Sequence, residues 1–134
     1  MKPSLQAGIS GTTRFTVDRE RTIDFMGEEA RVYATPMLVR DVEIACRNLL
    51  LQHLDPGEDS VGTRVELDHL AATPLGLAVT LAVRASAVDG RGVTFEVEGS
   101  DGIDTICRGK HMRFVVDVKK TEARILAKLQ KARA

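Results

Sequence analysis

The chain has no net charge: 19 Lys and Arg balance 19 Asp and Glu over 134 residues. With no global field to hold it on nucleic acid or on an anionic membrane, it must find its partners through local sites. Cysteine is scarce as well. Cys46 and Cys107 lie far apart among apolar neighbours, which excludes a disulfide framework and a thiolate zinc site and predicts two buried thiols in a reducing compartment. Only His53, His69 and His111 supply imidazoles, at spacings that match no metal-ligand pattern, so no metal is expected. No stretch approaches the roughly 20 apolar residues of a membrane span. The opening Met-Lys-Pro-Ser-Leu-Gln-Ala-Gly has no signal-peptide apolar core, so a cytoplasmic protein is expected.

The length suits one core and no internal linker, so residues 1–134 read as a single domain. Thr13 to Asp18 alternate polar and apolar and predict an early strand. From Met37 to Leu54 the spacing becomes helical, with Leu38, Val42, Ala45, Cys46, Leu49 and Leu50 on one arc, ending at Asp55-Pro56-Gly57. The period then falls to two. Val65 and Leu67 share a face with His69, and Leu75 to Val83 alternate. Asp89-Gly90-Arg91-Gly92 predicts a hairpin turn before Val93, Phe95 and Val97, and Met112, Phe114, Val116 and Val118 continue the alternation. After Thr121, Ile125, Leu126 and Leu129 recur at helical spacing in a basic C-terminal helix, about 119–133, read as a surface or dimer-flanking element.

A lone long helix ahead of four strands can bury its apolar arc only against the sheet. The fold expected is therefore α+β, with one long helix across a curved antiparallel sheet in the hot-dog arrangement, over a core of about 10–118. Such a sheet leaves an edge free, and a second copy is a common way to cover it, so a homodimer is expected.

Three residues carry the candidate chemistry. Thr35, Glu43 and His69 present a hydroxyl, a carboxylate and an imidazole in that order, the parts needed for acyl transfer or hydrolysis. Glu43 sits at the edge of the apolar arc beside Val39 and Leu50, where desolvation suits it to act as a general base. Attack by its own carboxylate is also open. Against this, Arg40 and Arg47 stand three and four residues away, the pattern of ordinary surface ion pairs. Thr35 precedes Pro36 and reads as a natural N-cap, which leaves it free to orient a water or a carbonyl oxygen at the helix terminus. Arg113, near Arg108 and Lys110, reads either as a phosphate-neutralising group or as part of a solvated face. Gly62 reads as strand-entry relief or as a place where a substrate carbonyl approaches the backbone.

Several separate blocks resemble the hot-dog thioesterases related to fluoroacetyl-CoA thioesterase: Tyr33 to Cys46, Leu54 to Thr63, His69 to Leu77, Asp101 to Asp104, and Gly109-x-His-x-Arg113. The resemblance runs from about residue 10 to 118. It implies that Thr35, Glu43 and His69 match the family's catalytic hydroxyl, carboxylate and imidazole. Gly62 would match a backbone donor near the thioester carbonyl, and Arg113 an arginine near the site. The implied substrate is a small acyl-CoA, with CoA as leaving group and no bound cofactor. The stretch Ile23 to Tyr33 keeps Phe25 and Tyr33 but lacks the aromatic-bearing insertion of the fluoroacetyl-CoA enzyme, which implies a different or broader acyl group. A non-catalytic module that binds acyl thioesters or another small ligand is the competing expectation.

Overall fold

A computed structural model describes residues 1–134. The elements run β1 (Ser10–Thr16), β2 (Thr22–Ile23), β3 (Val32–Tyr33), α1 (Thr35–Leu51), β4 (Glu58–His69), β5 (Ala78–Asp89), β6 (Gly92–Ser100), β7 (Thr105–Asp117) and α2 (Val118–Arg133). Five strands form one antiparallel sheet in the order β1-β5-β6-β7-β4, while β2 and β3 pair as a separate two-stranded ribbon. The helix α1 lies against this sheet, and its apolar arc joins Val79, Leu81, Val83, Val93, Phe95, Val97 and Val115 in a single core. This is the hot-dog architecture that the patterning predicts.

The boundaries shift where local chemistry competes with periodicity. The early strand starts at Ser10 rather than Thr13, since its pairing with β5 extends to Ser10 opposite Arg84. Strand β5 begins at Ala78, not Leu75, because Gly76 turns the chain at φ 97°. The ribbon β2–β3 was not legible, each strand being two residues long. α1 ends at Leu51, where the N–H of Gln52 turns back to the carbonyls of Leu49 and Leu50, before the Pro-Gly pair is reached. The turn at Asp89 to Gly92 forms as expected, with those two residues paired across β5 and β6.

Two departures decide the site. In β7 the apolar alternation points the wrong way: Met112 and Phe114 are 37 % and 44 % exposed, whereas His111, Arg113 and Val115 face α1 and are buried. In β4 the pairing with β7 slips between Gly62 and Arg64, leaving Thr63 as an extra residue. Strict alternation would put Gly62 and Val65 on opposite faces. The bulge resets the phase, so Ser60 and Gly62 face α1 together with Val65, Leu67 and His69. β4 is also an edge strand of the sheet, and Val61 to Glu66 along it are exposed.

Cys46 and Cys107 are buried free thiols, pushed up by desolvation to about 12 and about 11, so neither offers a thiolate near neutral pH. α2 is capped by Asp117 and buries no residue, leaving Ile125, Leu126 and Leu129 exposed. No helix is long and apolar enough to cross a membrane.

Candidate active site

The three candidate residues form two clusters rather than one. At the N-terminus of α1, Thr35 Oγ1 lies 2.8 Å from Nδ1 of His69. Thr35 is not the N-cap that its place before Pro36 suggests. Ala34 takes that position without a side-chain bond, and the Thr35 hydroxyl is thereby free for the imidazole. The Thr35 N–H has no backbone partner, so this helix end presents an open donor with the positive end of the helix dipole behind it. The other ring nitrogen of His69, Nε2, is buried and has no hydrogen-bond partner.

Tyr33 sets the plane of that ring. Its own ring meets His69 edge-on at 6.3 Å between centroids, and it stacks edge-on against Phe15 at 5.9 Å. The Tyr33 hydroxyl donates to Asp41, which also accepts from Nε of Arg21 at 2.9 Å. Burial, reinforced by Asp41, pushes the Tyr33 phenol far up, so it stays a donor. Asp41 is 5 % exposed on the buried face of α1. A carboxylate among the buried positions of an apolar helix arc, as Asp41 is here, is the sequence signal for such a network.

The second cluster lies a little over two turns further along the helix. Eight residues separate Thr35 from Glu43, about 12 Å at 1.5 Å per residue. Glu43 is half-buried and makes no hydrogen bond or ion pair. The surface pairing that its neighbours suggested does not form, because Arg40 reaches Asp41 and Arg47 takes Asp59 in a two-bond clasp at 2.9 and 2.7 Å. What faces the carboxylate is Gly62. A side-chain carbon on Gly62 would stand 2.7 Å from Glu43 Oε1, 3.1 Å from His111 Cε1 and 3.4 Å from Arg113 Nη1. The missing Cβ therefore makes room for the carboxylate itself, a more immediate reason for glycine here than access for a substrate carbonyl.

Arg113 is 4 % exposed and does not belong to a solvated face. Its Nε donates to Ser60 Oγ at 2.7 Å and its Nη2 to the Ser60 carbonyl at 2.8 Å. Burial pushes the guanidinium below its ordinary range, and Glu43 is the strongest charge opposing that shift. His111, fully buried beside it, was absent from the expected site. The same period of two that highlighted Met112 and Phe114 places His111, Arg113 and Val115 on the other face, which was the available signal.

Desolvation pushes both His69 and His111 below the ordinary imidazole value of 6.5; for His111 the nearby Arg113 adds to this and the Arg64 carbonyl opposes it. Both rings are therefore neutral at pH 7. A depressed folded value means that the unfolded chain binds protons at a higher pH than the folded one. Stability should thus be complete above the unfolded value and decline as acid carries the protein through the lowered folded values. Urea midpoints measured at about pH 7.5 and about pH 5.5 should show the lower value in acid. Equal midpoints would mean that neither ring is desolvated in solution.

The family model for fluoroacetyl-CoA-specific thioesterase matches residues 17–119. The chain belongs to the fluoroacetyl-CoA-specific thioesterase family. A curated member, the fluoroacetyl-CoA thioesterase of Streptantibioticus cattleyicolor, is 34 % identical over 135 residues, covering 96 % of this chain and 97 % of the relative. The crystal structure of a single-site mutant of a fluoroacetyl-CoA-specific thioesterase superposes with a TM-score of 0.86 at 34 % identity, over 95 % of this chain and 99 % of that one. Another mutant of such an enzyme, solved in complex with acetyl-CoA, gives 0.85 at 32 % identity over 92 % and 98 %. Membership in this thioesterase family makes the chain a thioester hydrolase with the hot-dog fold.

Proposed function

We propose that this protein hydrolyses small acyl-CoA thioesters to the free acid and CoA, in a site that two copies of the chain complete together. The observation that carries the reading is an unpaired carboxylate, Glu43, held against a main chain with no Cβ, in a chain whose relatives act on or bind short acyl-CoA molecules.

Glu43 accepts a proton from water as the water oxygen bonds to the thioester carbon. The hydroxyl and free N–H of Thr35 face the carbonyl oxygen as negative charge collects on it, and the helix dipole favours that charge. The carbon–sulfur bond then breaks. His69, neutral and with Nε2 free, relays the proton to the departing sulfur and ends neutral again. Direct attack by the Glu43 carboxylate reaches the same products through an anhydride that water then cleaves.

Within one chain Glu43 is remote from His69, since roughly 20 Å of strand separates Gly62 from His69. The exposed edge of β4 supplies the remedy. Antiparallel pairing of β4 with its own copy runs the strand in reverse, so the His69 end of one protomer meets the Gly62 end of the other. Each site then joins Thr35 and His69 of one chain to Glu43 and Gly62 of its partner, and the unpaired strand edge is covered at the same time.

A panel of acyl-CoA substrates with a thiol-detecting reagent tests the activity. Fluoroacetyl-CoA and acetyl-CoA should turn over within about tenfold of each other, because the segment Ile23 to Tyr33 offers no cover: Phe25 is 82 % exposed. Binding without CoA release would favour a carrier or sensor module instead. Mixing two inactive variants tests the shared site. Refolded together, Glu43→Gln and His69→Ala chains form hybrids with one intact and one doubly defective site, so activity should reappear. No recovery from the mixture would mean that each chain works alone.

A further inference from the structure

We infer that His111 is a positioning residue of this site: it joins Arg113 to the bulge of β4 and so sets where the Glu43 carboxylate stands. The inference rests on the hydrolytic reading above.

His111 is completely buried, and both of its ring nitrogens are engaged. Nδ1 lies 2.8 Å from the carbonyl of Arg64, and Nε2 lies 3.1 Å from Arg113 Nη1. A guanidinium only donates, so Nε2 accepts, Nδ1 carries the proton, and the ring is held as one neutral tautomer. Its two contacts fall on either side of the place where β4 departs from regular pairing. Arg64 is the first residue paired after the bulge. Arg113 reaches back to Ser60, before the bulge, through both the hydroxyl and the carbonyl. Gly62 lies between them. The pair His111–Arg113 therefore spans the irregular stretch from Ser60 to Arg64, and that stretch is what turns Gly62 toward α1.

The same pair forms the wall of the slot that receives Glu43. Measured from the empty Cβ position of Gly62, His111 Cε1, Arg113 Nη1 and Glu43 Oε1 all lie within 3.4 Å. Arg113 makes no ion pair within 4.0 Å, so it acts on Glu43 across this slot, as an opposed charge fixed in place. Three buried polar groups, Ser60, His111 and Arg113, cost free energy to desolvate. Their mutual satisfaction makes the cluster rigid, and that rigidity serves a carboxylate that has no partner of its own. Losing the ring would let the guanidinium and the bulge relax independently. A displacement near 1 Å is enough to cost about 10²-fold in rate.

The test uses the full chain, its best acyl-CoA substrate and three variants. His111→Leu removes both polar contacts at similar volume. His111→Asn is too short to span from Arg64 to Arg113, and His111→Gln can present both a donor and an acceptor. His111→Leu and His111→Asn should lower kcat about 10²-fold with KM within about threefold, while His111→Gln stays within about fivefold of wild type. Long-range nitrogen–proton NMR of the wild-type ring should show the proton on Nδ1. Should His111→Leu fail to fold, His111→Asn supplies the loss measurement. An undiminished kcat in the leucine or asparagine variant, a glutamine variant as slow as they are, or a proton on Nε2 overturns the role. A wild-type protein that releases no CoA from any substrate overturns the hydrolytic reading and this role with it; loss of the role alone leaves wild-type turnover intact.

Discussion

Glu43→Gln should lower the kcat for CoA release by about 10³-fold, the mid-range for losing a positioned general base, while leaving the folded protein as stable as wild type. The two halves of this expectation come from one observation. Glu43 has no hydrogen bond and no ion pair in the fold, so an amide of the same shape breaks nothing structural. The opposed Arg113 loses a favourable charge, but its three hydrogen bonds run to Ser60 and His111 and survive. The amide cannot take a proton from water, nor attack a thioester as a carboxylate does, so both routes to the product close together. Steady-state kinetics alongside a thermal melt measure both halves. A variant that keeps wild-type kcat would remove Glu43 from the chemistry. A variant that melts well below wild type would show that the carboxylate has a structural partner.

Gly62→Ala should be the second large effect, again separating activity from stability. The added methyl would stand 2.7 Å from Glu43 Oε1, closer than non-bonded atoms tolerate, so the carboxylate must move. Moving the tip of a glutamate is cheap, but the methyl would also stand 3.1 Å from His111 Cε1 in the rigid His111–Arg113 cluster, which must give by a few tenths of an ångström, so a modest loss of about 1 kcal/mol in stability is expected. The kcat should nevertheless fall about 10²-fold, because the base is no longer where the water is. Gly109→Ala provides the contrast. There the new methyl would meet the Glu66 carbonyl oxygen at 2.0 Å and Leu67 Cα at 2.8 Å, and main chain in a paired strand cannot step aside. That variant should lose about 3 kcal/mol or fail to fold. If Gly62→Ala turned over at the wild-type rate, the carboxylate would have space elsewhere that serves equally well.

Pattern alone went a long way along α1. Leu38, Val42, Ala45, Cys46, Leu49 and Leu50 recur at helical spacing and are all buried, because a helix on a sheet has one dry stripe and the chain must fill it. The order of elements that follows, four strands after one helix, leaves few ways to bury that stripe. The order of hydroxyl, carboxylate and imidazole singled out Thr35, Glu43 and His69, the resemblance implied the same three, and the pairing of Thr35 with His69 is present in the fold.

β7 shows where pattern fails. Met112 and Phe114 look like the inner face of a strand, yet they are the outer one, and His111 with Arg113 lies within. An apolar residue can sit on an exposed strand without great cost, and a charged one can be buried if every donor finds an acceptor. Local alternation reports the period of a strand and is silent on which phase faces the core. Only the register against β4 and the passage of α1 overhead settle that.

The amino-acid sequence alone determined the periods: a helix of one apolar stripe, strands of period two, a turn at Asp89 to Gly92, and one acid on the helix edge. The tertiary structure decided the phases and the meetings. It reset β4 by one residue at Thr63 so that Gly62 faces Glu43, and it gave Arg40 and Arg47 to other acids. It also set the Thr35–His69 pair apart from the carboxylate in the same chain. The physical reason is range. Propensity and periodicity act over a few neighbouring residues, whereas a bulge, a buried arginine and an unpaired acid are each defined by groups tens of residues away along the chain.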